Sequence, residues 1–488
     1  MRPTNDLSYK ASPVIAGLAF SVFALSCALL IAIAFLAAKN WSGLFHVSAI
    51  WGAMAHDFLD GVLYRPHLGP LGFGGTRYMP AFIVLNGFFL HFGLDFYAAG
   101  VASSLVGVIS LAVGVALFCR RSSLSWPQTL CAVSCIFGWT LLVAMIQVRA
   151  DILAAGLTVL GLAVIVGKER LGISDLIFAS LFFALAWATK LTALHGPAAV
   201  FLYLALSKRN SEAARFVVAA AVALCVVGAL SWIGSDGRVM QIFGPTASSG
   251  TDLNSVLKAP FRFVNMLKAD GPGFLLFFAA CVVFALDWTK HLRSLPGIHF
   301  VLVSLATVVI LCSPGTTENH FVELHASALC FLAYSGFRNV ESSHFFSCSL
   351  ILLAVFQIFS ASIILNKDVY AVGSRKKHRD IVSYIGSGTP VLSENPSVPL
   401  ALSSHVVIQD PFMLRVMAEN DPKVDETIRK VLSGREYKYV VLMHDITSLG
   451  PGHEYPNRHL GATFVESMRS NYKYLEKVGG FHVYVPER

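Results

Sequence analysis

Long apolar runs separated by short polar breaks dominate the first three quarters of the chain. A helix needs about 20 apolar residues to cross a hydrocarbon core ~30 Å thick. Eleven runs approach that length, over roughly 13 to 38, 96 to 119, 127 to 147, 149 to 167, 173 to 190, 194 to 207, 214 to 233, 272 to 287, 296 to 313, 320 to 337 and 344 to 365. The pattern predicts an α-helical polytopic membrane protein with about 11 transmembrane helices over residues 1–365. The first run is too long for a signal-peptide core and lacks a convincing cleavage site, so it reads as a retained helix.

One apolar stretch, 79 to 93, is short and carries Asn86 and His91. Counting it as a crossing would scatter the basic loops over both faces. Leaving it out puts Arg2/Lys10, Arg120/Arg121, Lys168/Arg170, Lys208/Arg209/Arg215, Lys290/Arg293 and Arg338 on one side, as the cytoplasmic bias of Lys and Arg requires. Residues 79 to 93 then read as a helix lying in the outer interface. The N-terminus is cytoplasmic, while 39–95, 234–271, 314–319 and everything after about 366 lie outside. The basic cluster SRKKHRD (374 to 380) runs against this assignment.

After residue 366 the pattern changes. Short runs such as PVLSE (390 to 394), VVIQD (406 to 410), YVVLMHD (439 to 445) and FHVYVPE (481 to 487) read as strands, and PKVDETIRKVLSG (422 to 434) reads as an amphipathic helix. Their alternation predicts a small α/β domain over 366–488, extracytoplasmic by the same sidedness.

Composition agrees, with 55% hydrophobic and only 14% charged residues among 488. The net charge of +8 follows from short basic loops and calls for no nucleic-acid partner. All nine cysteines lie in or beside apolar runs, which points to neither a disulfide framework nor a zinc site.

Ionisable groups beside membrane helices are costly and therefore functional candidates. Sidedness gathers one set outside. The first loop holds His46, His56, Asp57, Asp60, Arg65, Arg77 and Tyr78, the last three around the glycine-rich GVLYRPHLGPLGFGGTRYMP (61 to 80). Arg149 and Asp151 stand between two runs, Lys190 and His195 between the next pair, and Glu318, Asn319, His320 and Glu323 at the start of another. Arginine can grip a phosphate bidentately and lysine acts as a point charge. A nearby carboxylate can accept a proton from a hydroxyl or hold a divalent metal such as Mg2+ or Mn2+. The set fits an anionic, phosphate-bearing ligand. The bland alternatives are lipid-anchoring arginines, an Arg149/Asp151 ion pair capping a helix, and a snorkelling Lys190.

The order DGVLYRP, GGTRYMPAF, VRADILAAGLTVLGLAVIV, ALAWATKLTALHGPAAVFLYLAL and ENHFVELHASALCFLAY resembles the GT-C membrane glycosyltransferases. The branch is the one that contains protein O-mannosyltransferases, aminoarabinose transferases and lipopolysaccharide-core sugar transferases. The resemblance implies a bacterial inner (plasma) membrane enzyme that moves a sugar from a polyprenyl-phosphate donor to a glycan, lipid or protein acceptor, with inversion. It implies that Arg65 and Arg77 lie near the lipid phosphate and that Lys190 and Asp151 match a lysine and an acid of the family. With the residue reading, Arg65, Arg77, Tyr78 and Lys190 are expected to serve the donor phosphate, and Arg149, Asp151, Glu318, Asn319 and His320 acceptor or metal. One departure is clear. Relatives carry an acidic residue, often an Asp-Glu pair, just after the first span, whereas this chain reads FHVSAIWGAM (45 to 54). Acceptor activation then falls to Asp57 first, with Asp60 and His46 behind it. The competing expectations are a transporter or flippase of lipid-linked glycans and a non-catalytic binder of a lipid-linked sugar.

Overall fold

The structure is a computed structural model describing residues 13–243, 253–313, 316–335, 340–366, 374–450, 453 and 455–487. Arg2, Lys10 and Arg338 lie outside the described residues. The first helix, α1 (Pro13–Asn40), is apolar all round and leaves Phe20, Ile31 and Phe35 exposed, as a lipid-facing helix does. The outer segment that follows is itself helical in part, with α2 (His46–Leu59) packed on α3 (Pro80–His91). Pro80 starts α3 where its missing N–H costs nothing. The stretch expected to lie in the interface is thus one short helix.

The bundle continues with α4 (Phe96–Arg121), α5 (Trp126–Ile136), α6 (Trp139–Ile146), α7 (Asp151–Ile165), α8 (Ile173–Thr189), α9 (His195–Leu206) and α10 (Asn210–Gly234). Then come α11 (Leu253–Ala269), α12 (Gly271–Leu286), α13 (Leu295–Ile310), α14 (Phe321–Ser335) and α15 (Val340–Ile364). Among the described residues, α1, α4, α10 and the Ser347–Ile364 part of α15 are each long and apolar enough to cross a membrane. The pairs α5/α6 and α11/α12 qualify only as bent spans, broken by 56° and 119°. Five further apolar helices are shorter, so length alone identifies fewer crossings than the eleven runs suggested.

Helices α4 and α7 make the most extensive contact in the bundle. A methyl group on Gly107 would stand 2.7 Å from the backbone nitrogen of Leu153. Small residues let membrane helices approach this closely, and the contact fixes where α7 begins. That start carries Asp151.

The C-terminal region is the expected α/β unit. Helix α16 (Ser374–Ile385) precedes strand β3 (Val391–Ser393), and α17 (Ser397–Ala401), α18 (Pro411–Asn420) and α19 (Pro422–Ser433) lead to β4 (Tyr439–Leu442). After α20 (Ala462–Asn471) the chain closes with β5 (Tyr472–Val478) and β6 (Phe481–Pro486), in the order β3-β4-β6-β5. Strands β3 and β4 are parallel and the other neighbours antiparallel. The outer segment holds its own two-residue hairpin, β1 (Leu68–Gly69) and β2 (Gly72–Phe73).

VVIQD (406 to 410) is not a strand of that sheet. It pairs instead with the outer hairpin, Phe73 donating its N–H to the Val407 carbonyl at 2.8 Å and Gln409 donating to the Phe73 carbonyl at 3.2 Å. The basic cluster that opposed the sidedness also has a local explanation. Its Arg375 donates to the Lys39 carbonyl at 2.9 Å, stands 3.8 Å from Asp95 and covers the Trp41 ring. Residues 374 to 380 therefore dock on the same end of the bundle as the end of α1 and the start of α4.

Candidate active site

Arg65 and Asp57 form one buried unit. Asp57 lies on the last turn of α2, and Gly61, with φ of 83°, supplies the left-handed turn that folds the chain back toward it. Arg65 Nε and Nη2 meet the two Asp57 oxygens at 2.6 and 2.5 Å, and its Nη1 donates to the carbonyls of Leu71 and Val406. Gln409 donates a further bond to Asp57 at 2.7 Å. Arg65 is 2% exposed and Asp57 5%. Burial raises the Asp57 carboxyl above the usual carboxylate range, with Arg65 pulling against it. Both groups are committed to each other and to the C-terminal domain, which leaves neither oxygen of Asp57 open to a substrate hydroxyl. Asp60 is the exposed C-cap of α2.

A second cluster joins three helix ends. Lys190, the C-cap of α8, meets Asp151 at the start of α7 at 2.8 Å. His320, in the 3-10 turn Glu318–His320 before α14, stands 3.1 Å from Lys190 Nζ through its Nδ1. An ammonium can only donate, so Nδ1 accepts and the proton of neutral His320 sits on Nε2. Asn319 donates to the other Asp151 oxygen at 2.8 Å. Just below, His195 is hydrogen-bonded to Glu323, and the His299 ring follows at 5.4 Å. Lys190, Asp151, Asn319 and His320, scattered in sequence, are thus in mutual contact. Glu318 stands at the edge and makes no ion pair among the described residues.

The third group is rich in cations. Arg149 follows Val148, whose φ of 56° is a left-handed conformation that a β-branched residue rarely adopts. Such strain costs on the order of 1–3 kcal/mol and gathers at functional sites. Among the described residues the Arg149 guanidinium hydrogen-bonds to Gln147 alone, at 3.1 and 3.4 Å. Arg77 lies 4.3 Å over the ring of Phe412 and beside Tyr78. Asp410, which caps α18, is the carboxylate it feels. Among the described residues neither arginine is within ion-pair distance of a carboxylate. Arg149 is within Coulombic reach of His46, Tyr78 and His320, which joins this group to the Lys190 cluster.

His46 is the first residue of α2. Burial, then His459, Arg149 and Arg77, hold its imidazole well below the usual range, and the positive end of the helix dipole acts the same way. It is therefore neutral at physiological pH. The C-terminal domain contributes His459, Phe412, Asp410 and Gln409 to these groups, none of which the sequence singled out. Their signal is tertiary, because they lie more than 300 residues from their partners.

Among the described residues no group of three His, Cys, Asp or Glu side chains is placed to hold a metal ion. Asp57 and Asp151 are each bound to a cation. These residues do not fit a divalent metal.

No family model and no curated protein matches the chain. Solved structures do. ArnT from Cupriavidus metallidurans in the apo state matches with a TM-score of 0.62 at 12% identity, over 94% of this chain and 97% of that one. The same protein bound to undecaprenyl phosphate gives 0.60 at 12%, with the same coverage. An oligosaccharyltransferase from Archaeoglobus fulgidus gives 0.57 at 11%, over 95% of this chain and 74% of that one. These are GT-C superfamily proteins, and the chain has their fold.

Replacing Arg65 with Met leaves a buried carboxylate facing only Gln409, which should cost about 3–5 kcal/mol. Thermal unfolding of the purified protein should register a marked loss, and pairing it with Asp57→Leu should recover much of it. A single Arg65→Met variant as stable as the wild type would remove the clamp from this account.

Proposed function

We propose that the chain is an integral-membrane glycosyltransferase that takes a sugar from a polyprenyl-phosphate donor at the end of the bundle where the C-terminal domain sits. The observation that carries this reading is the pair of arginines, Arg77 and Arg149, which among the described residues make no ion pair with a carboxylate, near the ends of apolar helices and beside Lys190 and His320. Guanidinium groups outside ion-pair distance of a carboxylate at a membrane surface suit a lipid phosphate. As the sugar leaves, charge grows on that phosphate, and cations already in place stabilise the transition state most. Support comes from the fold shared with ArnT, which has been seen with undecaprenyl phosphate.

Two assignments change from the sequence reading. Arg65 and Asp57 become the clamp that positions the loop, so the phosphate contacts pass to Arg77, Arg149, Lys190 and His320. Acceptor activation passes to His46, which is neutral and beside the cations. A bound phosphate opposite Arg77 and Arg149 raises its basicity, because a nearby anion favours the imidazolium. Attack by an acceptor hydroxyl on the anomeric carbon breaks the bond to the phosphate oxygen, transfers the hydroxyl proton to His46 and inverts the centre. Acceptors of the glycan, lipid or protein class remain open. The transporter reading has one observation in its favour. Both bent spans break at one spot, where Asp270 meets Thr140 and His325, and transporters use such breaks near the bilayer midplane.

Binding of undecaprenyl phosphate to the full-length protein, with and without Arg77→Ala and Arg149→Ala, tests the phosphate site. Each loss of a charge-assisted contact should weaken binding by about tenfold or more. Equal affinity in the double variant would sink the assignment. Sidedness follows from the same reading, with the C-terminal domain outside a bacterial plasma membrane. A periplasm-dependent reporter fused after residue 488 should be active, and activity of a cytoplasm-dependent reporter there would reverse the topology.

A further inference from the structure

The C-terminal domain has a polar centre of its own where α/β folds hold their ligands, outside the carboxyl ends of parallel strands. Glu394 follows β3 and Met443 follows β4, the two parallel neighbours. Glu394 is fully buried and accepts from the Met443 N–H at 2.6 Å and from the Tyr455 hydroxyl, while its second oxygen has no partner among the described residues. The Tyr455 hydroxyl also accepts from Met443, at 3.1 Å. Its ring, 3% exposed, stacks on His459 with centroids 5.2 Å apart and planes 25° apart. The other edge of the stack is decisive. His459 meets the ring of His46 edge-on at 5.3 Å, so a continuous line of groups runs from the sheet to the first residue of α2.

We propose that Glu394, Tyr455 and His459 are positioning residues through which the C-terminal domain orients His46 and keeps water from it. The reaction centre is incomplete without that domain. The inference rests on the reading of His46 as the group that accepts the acceptor proton, and it supplies what the missing acidic pair after the first span would otherwise provide.

The geometry explains why each member is the residue it is. The phenol of Tyr455 reaches the Glu394 carboxylate while its face supports an imidazole. Glu394, raised by burial to about 7, can hold its bond to Tyr455 in either protonation state. His459, lowered by burial to about 4, is neutral at physiological pH, so it covers His46 without adding charge. The groups that face His46 are then His459 from the C-terminal domain, Arg77 from the loop, Arg149 from the turn before α7 and the N-terminal amides of its own helix. All oppose protonation, by exclusion of water in the first case and by charge in the others.

Diethyl pyrocarbonate reacts with neutral imidazole, so labelling of His46 in the full-length protein, followed by mass spectrometry across pH, reports its protonation independently of activity. In His459→Asn the ring is gone and water reaches His46. Its midpoint should rise by about one pH unit, and the acid limb of the transfer rate, assayed with a polyprenyl-phosphate sugar, should move up with it. Turnover should fall about tenfold with little change in undecaprenyl phosphate affinity, the mark of lost orientation rather than lost binding. Glu394→Gln still accepts from Tyr455 and should retain the wild-type midpoint, whereas Glu394→Ala should shift it as His459→Asn does. Should Glu394→Ala fail to fold, the partly exposed His459 provides the test alone. A His46 midpoint identical to wild type in folded His459→Asn would overturn the proposal. Full transfer by His46→Asn, together with a shifted His46 midpoint in His459→Asn, would instead reject the assignment of His46 as proton acceptor.

Discussion

A guanidinium withdrawn from water needs acceptors for its nitrogens and an opposite charge. Arg65 finds the charge in Asp57 and an acceptor for each of its three nitrogens by drawing on three parts of the chain. Asp57 comes from α2, Leu71 from the outer hairpin and Val406 from the C-terminal domain. These bonds fix the loop between Gly61 and Met79 as one body, and that loop presents Arg77 and Tyr78. The hairpin pairing of Phe73 with Val407 and Gln409 extends the same join. If the clamp were absent, the arginine proposed to bind phosphate would have no defined direction.

The remaining groups are set by helix ends. Close packing at Gly107 fixes the start of α7, and the strained Val148 turn before it aims Arg149. Lys190 and the Glu318–His320 turn are presented by α8 and α14. Their ion pairs lie at the end of the apolar helices, where a charge costs less than at the bilayer centre. The electrostatic result is asymmetric. Asp151 and Glu323 are paired, while among the described residues Arg77 and Arg149 make no ion pair, Asp410 acting on Arg77 from beyond that distance.

Much of this was legible in sequence. Apolar length pointed to the membrane bundle, short β-rich runs to β3, β4 and β6, and the amphipathic spacing of PKVDETIRKVLSG to α19. The concentration of ionisable residues at run ends anticipated the Asp151, Lys190, Asn319 and His320 cluster. What failed to show has physical reasons. The strand β5 reads YKYLEKV, with Lys473, Glu476 and Lys477 exposed, because an edge strand carries charge on its open side. VVIQD has strand character but spends it on the outer hairpin, a choice fixed only by tertiary contact. Asp57 and Arg65 looked like separate catalytic and phosphate groups because local sequence does not reveal that Gly61 turns one onto the other. The helix break at Gly138 was hidden inside a continuous apolar run, and the helix ending at Ala269 lay in a stretch read as an outer segment.

The central claim is that a lipid phosphate sits between Arg77 and Arg149, beside Lys190 and His320. A cryo-electron microscopy structure of the full-length protein with undecaprenyl phosphate tests it most directly. The account predicts phosphate density within hydrogen-bond reach of both arginines, with the Arg65–Asp57 pair intact. Phosphate density instead at the basic end formed by Arg121, Lys168 and Arg215, with Arg77 and Arg149 untouched, would contradict it.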